Sequence, residues 1–354
     1  MSGILHIIDA RTPQDCLLQL ALLGEAKDAV VSAGPPRPCV DLDLPVNAVH
    51  APLGLAALAG LKIRPLVSTS ARRAVHAWSP TVLRTAMLAA EGLPIVLSLP
   101  CMPPRPVVAR LIAAAAQRDI RLTVPTENLR RQMLALGADA TRTFVLPPPA
   151  RPINDMAQRR QRTRAALGIA PGYFLVAAPG EMTPDAGQKY ASWTHAIVRR
   201  FLPQTRMVIS GEGMNLSNVR SFIVSTGFES EQLTPAGRFP LADVLAAADA
   251  AMFLPRRDVG VAPVVAAMAA GVPIVAADTP DLRELLGDGA GLLAPPAKPR
   301  QASAALAKLI DDPALARSLG AAAQERAAEK YSVNRARGVM AECYRVAQTF
   351  QPVP

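Results

Sequence analysis

A chain of 354 residues is long enough for two domains, each with its own core, and 50% hydrophobic residues exclude a disordered polymer. The apolar runs are broken by charge, Pro or Gly well short of the ~20 residues of a membrane span, so no transmembrane segment is expected. The net charge of +10 is uneven: residues 1–172 hold 20 Lys and Arg against 11 Asp and Glu, and residues 173–354 hold 18 against 17.

Such asymmetry can steer an anionic partner, or a membrane surface carrying one, toward the first half. It is equally what a generally arginine-rich composition produces. Aromatic residues make up only 4%, and there is no RNA-binding signature or zinc finger, so nucleic acid is not an expected partner. Met1–Ile8 lacks the basic segment of a secretory leader, and the expected location is cytoplasmic. Cys16, Cys39, Cys101 and Cys343 form no CxxC pair and read as reduced thiols. His6, His50, His76 and His195 show no ligand spacing, and no metal site is expected.

In chain order, Gly3–Ile8 reads as a first strand. Thr12–Asp15 reads as a helix start, with Thr12 as cap, Pro13 in the first turn and an acid following. Strands follow at Asp28–Ala33, Arg73–Trp78, Leu93–Leu99, Ile120–Pro125 and Thr143–Pro148, with helical patterns at 80–92 and 127–137. Pro147–Gly172 is rich in Pro and Arg and reads as a linker, 151–172, with one short basic helix. The alternation then restarts. Strands at Tyr173–Gly180, Thr205–Gly213, Ala250–Pro255 and Val272–Asp278 alternate with helical patterns, and a short strand at 289–296 and amphipathic helices close the chain. Strand–helix alternation implies parallel sheets covered on both faces. The expected class is therefore α/β, with two doubly wound, Rossmann-like domains: 1–150, joined by a returning C-terminal helix 333–350, and 173–332.

The stretch from Asp258 to Asp278, DVGVAPVVAAMAAGVPIVAAD, carries the best-defined chemistry. Asp258 ends a strand-to-helix turn, Gly260 admits a close ligand, and Val261 and Ala262 lead into a helix with Pro263 in its first turn. The helix points its N–H groups and positive dipole end at the turn, which suits phosphate. The loop Ser210-Gly211-Glu212-Gly213 can offer further backbone N–H groups to the same ligand. Asp258 is equally able to cap a helix, and His76, on a strand, to be a core histidine.

The order of these segments over residues 173–345 resembles the C-terminal domain of GT-B glycosyltransferases of family four. The segments that carry it are VAAPGEMTPDAG, FLPQTRMVISGEG, AGRFPLADVLAAADAAMFLPRRD, GVAPVVAAMAAGVPIVAADTPDLRELL and GLLAPP. The resemblance implies a retaining, metal-independent transferase that takes a nucleotide-sugar as co-substrate and needs no other cofactor. It places Asp258 and His76 as catalytic residues. It places Gly180, Lys189, Ser210, Gly211, Gly213, Arg238, Phe239, Pro240, Gly260, Val261 and Ala262 at the donor, with Gly237–Pro240 reading the base and Glu284 at the acidic position after TPDLR.

The sequence departs from the family pattern at several points. Two glutamates eight positions apart are expected, and Asp258 and Ala266 stand there. Glu181 and Ala186 stand where an Arg and a Lys are expected at the donor diphosphate, with Lys189 three residues on. Trp78 replaces a second histidine, DARTPQD replaces a glycine-rich acceptor loop, and Pro147–Pro149 replaces an Asn-Gly pair. Each charge-assisted hydrogen bond lost costs ~1.5–3 kcal/mol. A catalytically inactive binding or regulatory protein on the same scaffold therefore stands beside the enzyme, with an epimerase of the same fold as a more distant alternative.

Overall fold

The computed structural model describes residues 3–35, 45–49, 56–68, 72–90, 92–235 and 239–345. The chain divides into two compact units, Met1–Pro147 with Val333–Pro354, and Pro148–Ser332.

The first unit holds a parallel seven-stranded sheet. Its strands are β1 (Ile4–Ile8), β2 (Ala29–Ala33), β3 (Val46–Val49), β4 (Ala74–Ala77), β5 (Ile95–Ser98), β6 (Ile120–Val124) and β7 (Thr143–Val145), in the order β3-β2-β1-β4-β5-β6-β7. The helices are α1 (Gln14–Leu23), α2 (Ala56–Ser68), α3 (Leu83–Ala89), α4 (Arg105–Gln117) and α5 (Glu127–Ala135). The central strands are apolar at nearly every position because both faces are covered. Leu5, Ile7, Val75, Ala77, Ile95 and Leu97 join one core with Ile63 of α2, Ala86 of α3 and Leu111 of α4. The alternate residues Ile4, Ile8, Ala74 and Val96 join another with Leu17 and Leu20 of α1 and Met340 and Tyr344 near the C-terminus. Thr12 does not cap α1. Its hydroxyl accepts from the backbone N–H of Asp9 and donates to the Asp9 carboxylate, while Pro13 occupies the cap position.

The second unit opens with α6 (Met156–Ala166) and continues β8 (Phe174–Pro179), α7 (Gln188–Phe201), β9 (Thr205–Ser210), α8 (Leu216–Thr226), β10 (Gln232–Leu233), α9 (Leu241–Ala247), β11 (Ala250–Phe253), α10 (Ala262–Ala269), β12 (Ile274–Ala277), α11 (Pro280–Leu286), β13 (Leu292–Ala294), α12 (Pro299–Asp311) and α13 (Pro313–Lys330). Its parallel sheet runs β10-β9-β8-β11-β12-β13. Each sheet thus reverses its strand order once, between β1 and β4 and between β8 and β11. α14 (Val333–Cys343) then returns to the first unit. Residues 346–350 of the expected returning helix lie outside the described residues.

The four arginines of α6 pair inside the second unit. Arg159 and Arg162 pair with Asp243, and Arg160 and Arg164 with Asp249. These ties fix α6 against α9 and the start of β11. The units as folded carry 18 Lys and Arg against 11 Asp and Glu in the first, and 20 against 17 in the second. The charge asymmetry is smaller than the linear sequence implies.

Candidate functional site

Ligands of doubly wound sheets bind beyond the carboxyl ends of the strands where the strand order reverses. In the second unit that point is flanked by the loops after β8 and β11. The loop after β8 is tied on both sides. Gly180 donates its N–H to the Ser210 carbonyl at 2.9 Å, and Met182 donates to the Glu212 carbonyl at 2.9 Å. Arg256 donates its backbone N–H to the Asp185 carbonyl at 2.9 Å, and the Arg257 guanidinium lies 3.4 Å from the Asp185 carboxylate.

Two glycines make this closure possible. A Cβ on Gly213, at φ +154°, would lie 2.4 Å from the Met182 carbonyl oxygen. One on Gly187, at φ +89°, would lie 1.9 Å from the Leu254 oxygen. The second is a requirement that the linear sequence does not reveal, because Leu254 is far along the chain.

The glycine-bearing loops Gly180–Gly187 and Ser210–Gly213, and the turn Leu254–Val261, therefore converge. Gly180 also abuts the first turn of α10, its Cβ position lying 4.0 Å from Pro263 Cγ. Val261 takes the N-cap position of α10, and Ala262 and Pro263 open the helix. Ala266 is the single residue of α10 that is not buried.

Asp258 is half-buried, and its Oδ1 accepts a hydrogen bond from the backbone N–H of Asp281 at 3.0 Å. It thereby caps α11. Lys189 leaves the convergent loops: its Nζ stands 5.9 Å from the Phe222 ring centroid, over α8. Phe239 is half-buried, and Pro240 sits at the N-terminus of α9 without a side-chain cap. They follow the edge strand β10, two strands from β8. Gly237 and Arg238 lie outside the described residues. Glu284 is half-buried within α11.

Two residues of this region carried no obvious signal. Gln188, 5% exposed, donates from Nε2 to the carbonyls of Gly180 and Glu181 at 3.5 and 3.2 Å, and its Oε1 has no partner. Asp281, 1% exposed, supplies the N–H that Asp258 accepts. The Thr-Pro-Asp run at 279–281 is a helix-start pattern that would have marked it.

His76 belongs to the other unit and has no exposed surface. Its Nδ1 lies 2.7 Å from the Tyr344 hydroxyl and its Nε2 2.9 Å from Ser98 Oγ, which meets Thr123 Oγ1 at 2.8 Å. Trp78 stacks on it at 4.0 Å and donates its indole N–H to His6 Nδ1 at 3.1 Å. That donation fixes His6 Nδ1 as an acceptor, so the neutral ring carries its proton on Nε2, 3.4 Å from Asp28 Oδ2. Burial pushes the His76 pKa well below the usual histidine range, and a proton on the neighbouring His6 would push it the same way. Burial alone would raise the Asp28 carboxyl, but hydrogen bonds from His6 and the backbone of Ile4 and Glu25 outweigh it and hold it low. With both ring nitrogens engaged and no open face, His76 is a core histidine.

Among the described residues no three His, Cys, Asp or Glu side chains are grouped to hold a metal ion. No described helix is long and apolar enough to cross a membrane. Cys16, Cys101 and Cys343 form no disulfide, and burial pushes the Cys343 thiol up to about 12.

Residues 159–326 match the family described as Glycosyl transferases group 1. The second unit is a group 1 glycosyl transferase domain. The curated D-inositol 3-phosphate glycosyltransferase of Kineococcus radiotolerans is 29% identical over 233 residues, which cover 58% of this chain and 53% of that protein. The match thus spans about half the length of that relative. The crystal structure of Anabaena HepE in complex with UDP and glucose superposes with a TM-score of 0.81 at 18% identity, over 97% of this chain and 99% of that one. The sucrose-phosphate synthase of Thermosynechococcus elongatus gives 0.75 at 14% identity, over 97% and 98%. WaaG, a glycosyltransferase involved in lipopolysaccharide biosynthesis, gives 0.71 at 15% identity, over 95% and 99%. With two parallel-sheet α/β units, the chain has the GT-B fold. In its group 1 domain, the convergent loops after β8, β9 and β11 form the candidate donor site.

Proposed function

We propose that the protein transfers a sugar from a nucleotide-sugar to an acceptor with retention of anomeric configuration, without a metal or other cofactor. The observation that carries this reading is the convergence of three glycine-bearing loops on the reversal point of the sheet in a group 1 glycosyl transferase domain. HepE was crystallised with UDP and glucose and with UDP-glucose, which makes UDP-sugars the first donors to test. In this reading Gly180, Ser210, Gly211, Gly213, Gly260, Val261 and Ala262 bring backbone against the diphosphate, Phe239 and Pro240 flank the base with Arg238, and Asp258 meets the sugar. Asp258 is already hydrogen-bonded, so it would position the sugar from a fixed place.

A second reading has its own support. Glu181 and Ala186 stand where cations are expected, Lys189 faces Phe222, and Ala266 cannot accept from ribose hydroxyls. These changes favour a protein that keeps the scaffold and has lost turnover.

Calorimetry against UDP-, GDP- and ADP-sugars tests both readings. Binding of one nucleotide class, with slow release of free sugar and the donor's anomeric form retained in NMR of the first product, supports the transferase. Binding without any bond cleavage supports the second reading, and the absence of binding to all three removes both.

A further inference from the structure

α7 has two faces of opposite character. Gln188, Ala191, Ser192, Thr194, His195 and Val198 are buried against the unit. The opposite face carries Lys189, Tyr190, Trp193, Ile197, Arg200 and Phe201, each exposed or partly exposed. At ~100° per residue these six fall within one third of the helix circumference. Phe222 of the neighbouring α8 extends the face: its ring lies 6.5 Å from Trp193 and 5.9 Å from Lys189 Nζ.

The composition of this face is unlike the rest of the chain. The protein has 2 Trp, 4 Tyr and 8 Phe in 354 residues. Trp193, Phe201 and Phe222 gather on this one surface, with Trp193 49% and Phe201 79% exposed, and Tyr190 at its edge packs partly against the core. Neither α7 nor α8 contains an Asp or Glu, while they contribute Lys189, Arg199, Arg200 and Arg220. Arg199 is neutralised by Glu231 at 3.5 Å, and Arg220 is turned onto Thr234. Lys189 and Arg200 carry no ion pair among the described interactions and stand on the aromatic face itself.

We propose that the α7–α8 face docks on an anionic phospholipid surface. Amphipathic aromatic rings favour the depth of lipid headgroups, where their apolar body and polar edge are both accommodated. Flanking cations add attraction to acidic headgroups. A helix of this kind lies in the interface without spanning it. The absence of any carboxylate on either helix supplies the charge complementarity that selects a lipid surface over a mixed-charge protein partner.

The structure provides its own reporter. Trp78 is fully buried and hydrogen-bonded, so Trp193 is the solvent-sensitive tryptophan. The full-length protein is titrated with phosphatidylcholine vesicles, with and without phosphatidylglycerol, while tryptophan emission and co-sedimentation are followed. The expected result is a blue shift and sedimentation with the anionic vesicles, reversed by high salt, and quenching by brominated lipid. Arg200→Glu and Phe201→Ser each weaken partitioning, the first by about tenfold or more. Both residues are exposed, and unchanged thermal unfolding verifies that the variants are folded. No shift with either vesicle overturns the proposal. So does equal binding to both vesicles, binding unaffected by both substitutions, or a lipid-free blue shift with dimerisation in light scattering, which would assign the face to a second copy.

Discussion

Asp258 Oδ1 accepts the backbone N–H of Asp281 at 3.0 Å, joining the turn after β11 to the first turn of α11. The carboxylate therefore has a structural duty at the candidate donor site whether or not it touches a sugar. A charged acceptor at a helix start satisfies an otherwise orphaned donor and faces the positive end of the helix dipole.

This duty makes two substitutions separable. Asp258→Ala loses the cap and should cost ~0.5–2 kcal/mol in thermal or chemical unfolding of the second unit. Asp258→Asn keeps an acceptor oxygen and should stay within about 0.5 kcal/mol of the parent. If Asp258 positions the sugar by charge, the Asn variant should lose transfer while keeping its melting temperature. An Asn variant as active as the parent removes Asp258 from the chemistry.

The α/β alternation was legible because parallel strands covered on both faces must be continuous apolar runs, as in β1, β5, β8 and β12. The gaps have physical reasons. β3 is an edge strand whose middle residues Asn47 and Ala48 are exposed, so it carries no core pattern. α6 is the short basic helix expected within the linker, but its anchoring to the second unit is not legible, because the partners of its arginines, Asp243 and Asp249, lie more than eighty residues away. The loops of the candidate site were found through their glycines. The role of Asp258 in capping α11 depends on tertiary proximity, and so does the enclosure of His76. The run VHAW gave no sign that Tyr344, 268 residues on, would close over it.

That closure yields a second prediction. His76 Nδ1 and the Tyr344 hydroxyl are 2.7 Å apart in a fully buried setting, and Arg121 donates to the Cys343 carbonyl at 2.8 Å and to that of Arg345. Together they hold the end of α14 on the first unit. Tyr344→Phe leaves His76 Nδ1 buried without a partner and should destabilise that unit by ~1–3 kcal/mol. Arg121→Met removes the cation from the C-terminal carbonyls and should speed amide exchange in α14 more than in α1. Uniform exchange across both helices would mean the anchor contributes nothing local.

Acid should weaken both units well above the carboxylate range. Burial, reinforced by Arg199 against the opposing Glu231, lowers the His195 pKa to about 3, and burial also lowers that of His76. An unfolded histidine titrates near ~6.5. Below that value the unfolded chain binds protons that the folded chain refuses, so stability falls as pH falls, at ~1.4 kcal/mol per pH unit for each histidine. Above it neither contributes. His195 is also buried with both ring nitrogens unpartnered. His195→Leu should therefore stabilise the second unit by about 1–3 kcal/mol and flatten its slope between pH ~6.5 and ~5, measured by calorimetry at stepped pH. An unchanged slope would show that His195 meets solvent or a partner in solution.

The last prediction concerns Ala266. It stands eight positions after Asp258, where the resemblance places a ribose-binding acid, and it is the one residue of α10 that is not buried. A side chain added there has room to leave the helix. In the transferase reading, Ala266→Glu supplies a carboxylate acceptor to two ribose hydroxyls and should tighten nucleotide binding by ~1.5–3 kcal/mol. The gain should vanish for a ligand lacking both hydroxyls. In the second reading the site no longer fits a ribose, and the new carboxylate on an otherwise buried helix has no ligand to pair with, at a cost in stability. Thermal shift with and without UDP and GDP separates the two. A lowered melting temperature with no nucleotide-dependent recovery would count against a functional donor site at α10.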